Sequence, residues 1–219
     1  MTASLEPSTK TEILCFLKTN GSAEAKAIAE ACGLTTMAVR RHLLNLRAAG
    51  IIQVKTERRP KGRPTTVHSL SELGDAEFPR DYEGLACDVL SSLRLLDGEA
   101  KIRQVFRHRR KQMTARYLAR MKGKSLELRV REVAAILTEC GYMAEVSPTG
   151  RGSFLLTEYN CAVPRVAKCF PVTCDEELCL IRDLAGASVT RVCHVLAGDR
   201  QCSYLIQRGG KATGAPQPL

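Results

Sequence analysis

Tryptophan is absent from this 219-residue chain, and aromatic residues make up only 5% of it. Any core must therefore be mostly aliphatic. No apolar run approaches the roughly 18 residues that a membrane helix needs, so no membrane span is expected. The stretch 1–11 lacks an apolar h-region, so no secretory signal is expected and the predicted location is cytoplasmic. There is also no C-x2-C pair, which disfavours a zinc ribbon or knuckle and a thioredoxin-like redox pair. Hydrophobic residues (44%) and charged residues (26%) are present in the proportions of a soluble, core-forming protein. The length suggests one large domain or two small ones.

Two quantities are unusual. The net charge is +10, and there are 10 Cys. Excess positive charge attracts polyanions, nucleic acid first. Cysteines in a reducing compartment point to buried thiols or metal ligands more than to disulfides. The two features occupy different parts of the chain. Arg40, Arg41, Arg47, Lys55, Arg58, Arg59, Lys61 and Arg63 form one basic concentration, with Glu57 its only acid. A second, over 101–124, has no acid at all, and its arginines run around a helix instead of along one stripe. Cys161, Cys169, Cys174, Cys179, Cys193 and Cys202 crowd the far end.

The segment TKTEILCFLKT places Ile13, Leu14, Phe16 and Leu17 on one helical face, and Asn20-Gly21 stops it. Ser22 is predicted to cap a second helix over 23–31, with Ala27, Ile28 and Ala31 inward. Cys32-Gly33-Leu34 makes a tight corner. Thr35 then caps a third helix over 36–49, which buries Val39, Leu43 and Leu46 and ends at Gly50. Two β-rich runs, 51–54 and 65–70, flank ERRPKGRP, whose Pro and Gly mark a loop. Three short helices followed by a hairpin with a basic tip describe a winged helix-turn-helix. The run AEAKAIAEACGLTTMAVRRHLLNLRAAGIIQ and the GRP of the wing resemble bacterial winged-helix regulators.

In such a motif the second helix of the pair enters the major groove of double-stranded DNA with its N-terminal half at the base edges. Burial of Val39, Leu43 and Leu46 leaves Thr36, Met37, Arg40 and Arg41 facing outward. Arg can bridge guanine O6 and N7 with two parallel hydrogen bonds. Thr36 and the helix N-terminus suit phosphate. Arg58, Lys61 and Arg63 on the wing are expected at the backbone or minor groove.

Residues 81–141 read as three helical pieces punctuated by Gly98 and Gly123. The first carries Leu85, Val89, Leu93 and Leu96; the second Ile102, Val105 and Phe106; the third Leu126, Leu128, Val130, Val133 and Ile136. This middle can pack against the winged helix or supply the homodimer interface that a palindromic operator requires.

Residues 141–146 and 152–157 read as two strands around PTGRG. Beyond them, Cys161, Cys174 and Cys202 have the spacing C-x12-C-x27-C, in the contexts YNC, FPVTC and AGDRQCSYLIQ. With the winged helix upstream, this layout resembles SufR-type regulators over residues 10–208. The resemblance implies a dimeric repressor of iron–sulfur cluster assembly operons. It also implies that Cys161, Cys174 and Cys202 hold an iron–sulfur cluster, [4Fe-4S] in preference to [2Fe-2S]. Thiolates from separate strand and loop ends can converge on such a cluster.

The resemblance carries one departure. The fourth Cys of some family members falls at Ser188 here. His194 is the internal candidate for the fourth ligand; Cys193, Cys179 or an external thiol are alternatives. Cys193 and His194 are neighbours on a strand, so only one can face the site. Cys169 and Cys179 are expected to be small core residues.

The expected fold class is α+β: an N-terminal winged helix-turn-helix (8–72), a helical linker or dimerisation region (81–141), a small α/β cysteine-rich domain (142–208) and a disordered tail (209–219). The expected function is cluster-dependent or redox-dependent transcriptional regulation. The rivals are a regulator of the same architecture that senses zinc or thiol oxidation, or binds no metal, and a thiol enzyme fused to a DNA-binding module. No nucleophile elbow, phosphate loop or His/Asp pairing supports the enzyme.

Overall fold

Ser8 accepts a hydrogen bond from the Thr11 backbone N–H, which caps helix α1 (Thr9–Asn20). This computed structural model describes residues 8–58 and 64–208. They divide into two units, with the boundary between Asp81 and Tyr82. Among the described residues no helix is long and apolar enough to cross a membrane.

In the first unit Ile13, Leu14 and Leu17 of α1 are buried, as their spacing predicts, and Gly21 ends the helix at a positive φ. Ser22 does not cap a helix. Ser22–Glu24 is a short strand, β1, which pairs antiparallel with Ser69, His68 and Val67. Pairing satisfies backbone groups that a helix start would leave open, and α2 begins only at Ala25 (Ala25–Cys32). Gly33 turns the corner in the left-handed conformation. Thr35 caps α3 (Thr36–Ala48) by accepting from the Ala38 N–H at 3.2 Å. Val39, Leu43 and Leu46 of α3 are buried with Ile13, Leu14, Leu17 and Ile28. Each such side chain contributes roughly 1.5–3 kcal/mol by leaving water. Strands β2 (Ile52–Glu57) and β3 (Thr65–Leu70) form the wing hairpin, with Ile52 opposite Leu70 and Glu57 opposite Thr65. A short helix, α4 (Glu72–Ala76), follows.

The second unit starts with α5 (Tyr82–Tyr117), which is broken at Gly98 by a non-helical φ of 80° and ψ of 172°. A 3-10 turn over Leu118–Met121 leads to α6 (Leu126–Glu139), capped by Ser125. Then come β4 (Ala144–Gly150), β5 (Ser153–Glu158), α7 (Pro164–Cys169), α8 (Val172–Ala185), β6 (Ser188–Cys193) and β7 (Cys202–Gln207). The four strands form an antiparallel sheet in the order β4-β5-β7-β6. Phe154, Leu156, Val189, Tyr204 and Ile206 on one face of the sheet share a core with Val130, Val133 and Leu137 of α6 and Leu180, Ile181 and Leu184 of α8. The architecture is α+β: a winged helix-turn-helix, a helical middle and a small C-terminal sheet.

The row Leu85, Val89 and Leu96 is exposed, while Cys87, Ile102 and Phe106 pack against Val166 and Phe170. The helix has apolar residues on two faces, and α7 covers only one of them. One expectation in this unit needs correction: Cys169, at the last position of α7, is exposed, and Cys179 is only half-buried.

Candidate functional site

The first unit presents one surface by elimination. Its three-residue turn and the buried Val39, Leu43 and Leu46 rotate the opposite side of α3 outward. Arg40 and Arg41 are exposed, and among the described residues neither has an ion-pair partner. Met37 is 75% exposed on the same side of the helix. Thr36, at the first turn, is half-buried, with its backbone at the electropositive helix end. Arg58, at the end of β2, is exposed; Lys61 and Arg63 lie outside the described residues. A helix with free guanidinium groups beside a β-hairpin can enter a major groove while the hairpin meets the backbone.

The second unit brings the three cysteines of the sequence pattern to one end of its sheet. Cys161 leaves β5 three residues after its end, Cys174 lies in the first turn of α8, and Cys202 opens β7. Cys174 therefore comes from a helix, where a strand or loop end was expected. The acids that open this helix and its Leu178, Ile181 and Leu184 periodicity were the available signal. Cys174 and Cys202 are buried and Cys161 is half-buried.

Cys174 feels the other two thiols. Burial, then the Glu177 charge, pushes Cys174 up to about 12; Arg191 opposes this, and Cys161 and Cys202 add to it. Burial also raises Cys161 and Cys202, with Glu158 and Glu177 adding to the effect and backbone N–H groups near Val163 and Val195 opposing it. Without a cation, these thiols remain protonated at neutral pH.

Around the thiols lies a polar cluster that the spacing did not reveal. Glu158 is 3% exposed and its Oε1 has no hydrogen-bond partner. Burial, with the Glu177 carboxylate, pushes it up to about 9. The Tyr204 hydroxyl donates to Glu177 Oε1 at 2.7 Å. The Arg191 guanidinium donates to the Cys174 carbonyl, lies 3.6 Å from Asp175 and stacks 5.8 Å from the Tyr204 ring centroid. The available signal for Glu158 and Arg191 was alternation: Phe154, Leu156, Glu158 and Val189, Arg191 share inward registers with apolar residues.

His194 follows β6. Its backbone N–H donates to Asp199 Oδ2 at 2.7 Å, and its Nε2 is buried without a partner. Burial, then the Arg191 charge, holds it below the ordinary imidazole value. Cys193 pairs with Ser203, on the sheet face away from Cys202. Ser188 pairs with Gln207, five residues along β7 from Cys202, or about 17 Å at strand rise. Cys179 acts on Arg110, on the α5 side of α8. A cavity of about 80 Å³ on that side is lined by Phe106, Met113, Tyr142 and Thr173, and none of the three cysteines borders it.

Among the described residues no three His, Cys, Asp or Glu side chains are already gathered as a metal-holding group. The donor chemistry nevertheless suits iron: Cys174 lies in electrostatic reach of Cys161 and Cys202, those two feel Glu158, and the buried Glu158 Oε1 and His194 Nε2 have no partners. A cation would supply the partners those atoms lack.

The fold of the first unit defines a DNA-binding domain. Residues 8–53 match the winged helix-turn-helix DNA-binding family. Among solved structures, the phenol-responsive sensory domain of the transcription activator PoxR, crystallised with phenol, is similar at a TM-score of 0.43 and 13% identity. The match covers 77% of this chain and 89% of that one. No curated protein matches the chain.

Proposed function

We propose that this chain is a homodimeric transcriptional repressor that reads a palindromic operator and senses iron–sulfur cluster or redox status, with cluster assembly genes as its targets. The observation that carries the sensing half is the convergence of Cys161, Cys174 and Cys202, from a loop, a helix and a strand, at one end of the sheet. These residues would hold the cluster, which supplies reversible electron transfer and sensitivity to oxidants and iron supply. Arg191, beside Cys174, would balance the thiolate charge. His194 is the candidate fourth ligand carried by the sequence pattern.

The DNA-reading half rests on Arg40 and Arg41, free and exposed on α3. Dimerisation is supported by the outward row of Tyr82, Leu85, Val89 and Leu96 on α5, which follows the spacing of a helix–helix seam. Two copies would set the recognition helices one helical turn apart, about 34–36 Å on DNA. When the thiols are freed, the β5 exit, the start of α8 and the start of β7 lose their common tie, and operator binding falls.

Anaerobic purification with an absorbance spectrum and iron, sulfide and zinc analysis tests this reading. A brown protein with matched iron and sulfide is expected, and Cys174→Ser is expected to bleach it without unfolding the winged helix. Colourless protein with zinc would reassign the triplet to zinc. Protein that stays free of metal after reconstitution would remove the cluster from the proposal.

A further inference from the structure

A cluster held by three thiolates needs one more donor, and several residues compete for that place. Register excludes two of them. Ser188 lies at the wrong end of the sheet from Cys202, and Cys193 faces the opposite side. Cys179 lies within electrostatic reach of Arg110 on α5, and it is not among the groups that act on the three thiols.

Glu158 is placed differently. It is the register partner of Cys202 across β5 and β7, so the two side chains leave the same face of the sheet as direct neighbours. Three residues further on, the chain delivers Cys161. Glu158 is almost wholly buried, yet one carboxylate oxygen has no partner, a state that a buried acid does not keep without a reason. His194 also has an unpartnered nitrogen, but it lies beyond the last paired residue of β6 and is only half-buried.

Resting on the cluster reading above, we propose that Glu158 is the carboxylate ligand that completes the set of Cys161, Cys174 and Cys202. A carboxylate is a harder and more exchangeable donor to iron than a thiolate. The iron at Glu158 is therefore the one most readily lost or exchanged, which gives the sensor its point of entry. Arg191, half-buried beside Cys174 and Cys202, offsets the charge that a fourth anionic ligand adds.

The test reconstitutes wild type, Glu158→Gln, Glu158→Cys and His194→Ala full-length protein anaerobically, and measures iron, sulfide and the EPR spectrum. Glu158→Gln is expected to lose about one iron per cluster with sulfide unchanged, and to show the EPR signature of a three-iron cluster. Glu158→Cys is expected to keep the wild-type iron count and to resist iron loss to a chelator. His194→Ala is expected to match wild type. Far-UV circular dichroism and a urea midpoint establish that each variant is folded, and Glu158→Cys serves if the Gln variant is not. Wild-type iron and EPR in Glu158→Gln, or iron loss in His194→Ala alone, would overturn the assignment while leaving the cluster reading intact. Wild type that takes up no iron would overturn both.

Discussion

The hydroxyl of Tyr204, a residue with no exposed surface, donates to Glu177 Oε1 at 2.7 Å and ties β7 to α8. Cys202 and Cys174 lie on those same two elements, so this bond holds the two thiols in register. Tyr204→Phe removes the donor and leaves the carboxylate without it. A hydrogen bond to a charged group is worth about 1.5–3 kcal/mol. The urea midpoint of the variant is expected to fall by that measure, and an unchanged midpoint would show that water replaces the hydroxyl.

Arg40 lies on the exposed side of α3 without an ion-pair partner among the described residues. Arg40→Ala is expected to cost about 1–3 kcal/mol at one base pair and to relax the preference there. Arg58→Ala, on the wing, is expected instead to weaken all duplexes alike and to reduce the salt slope by about 1. Selection from a random-sequence duplex pool, with binding isotherms at several salt concentrations, separates the two. An unaltered selected sequence in the Arg40 variant would take that residue out of base reading.

His68, in β3 between Val54 and Ala23, has a buried Nδ1 with no partner. Burial, then the Arg47 charge, holds its imidazole below the ordinary value. Protonation therefore favours the unfolded chain. The stability linked to neutral His68 is complete above about pH 6.5 and is lost as pH falls toward and through the lowered folded-state value. Urea midpoints of the isolated transition of the winged-helix unit are expected to drop over that window. In His68→Gln the drop should shrink, and an identical profile would assign it to other groups.

Gly74, in α4, approaches the backbone so closely that a Cβ there would lie 2.1 Å from the Ile51 carbonyl oxygen. That carbonyl already accepts from the Ser71 N–H at 3.0 Å. Gly74→Ala must displace α4 from the end of the hairpin, at about 1–3 kcal/mol of overpacking. Thermal unfolding measures it, and a Tm equal to wild type would mean that α4 shifts freely.

Helices α1 and α3 of the first unit were legible in the sequence because their signals are local. Capping by Thr35, the corner at Gly33 and the spacing of Val39, Leu43 and Leu46 act within a few residues, and together they dictate which side of α3 is free. The break at Gly98 was legible for the same reason. Strand β1 was not: Ser22 has the chemistry of a helix cap, and only pairing with Ser69, more than forty residues away, makes it a strand. Likewise the apolar row on α5 could be read as a face whose partner stayed open, because which face α7 covers is decided by packing.

In the sequence, the family resemblance carried by YNC, FPVTC and AGDRQCSYLIQ set Cys161, Cys174 and Cys202 apart from the other cysteines. Their convergence depends on the order β4-β5-β7-β6 and on α8 packing against that sheet, neither of which any local run of residues encodes. Tertiary structure alone set Glu158 opposite Cys202, turned Cys193 to the other face and moved Ser188 to the far end of the sheet. The physical reason is the period of the strand: a side chain's face is set by register with its partner strand, and register is a long-range property.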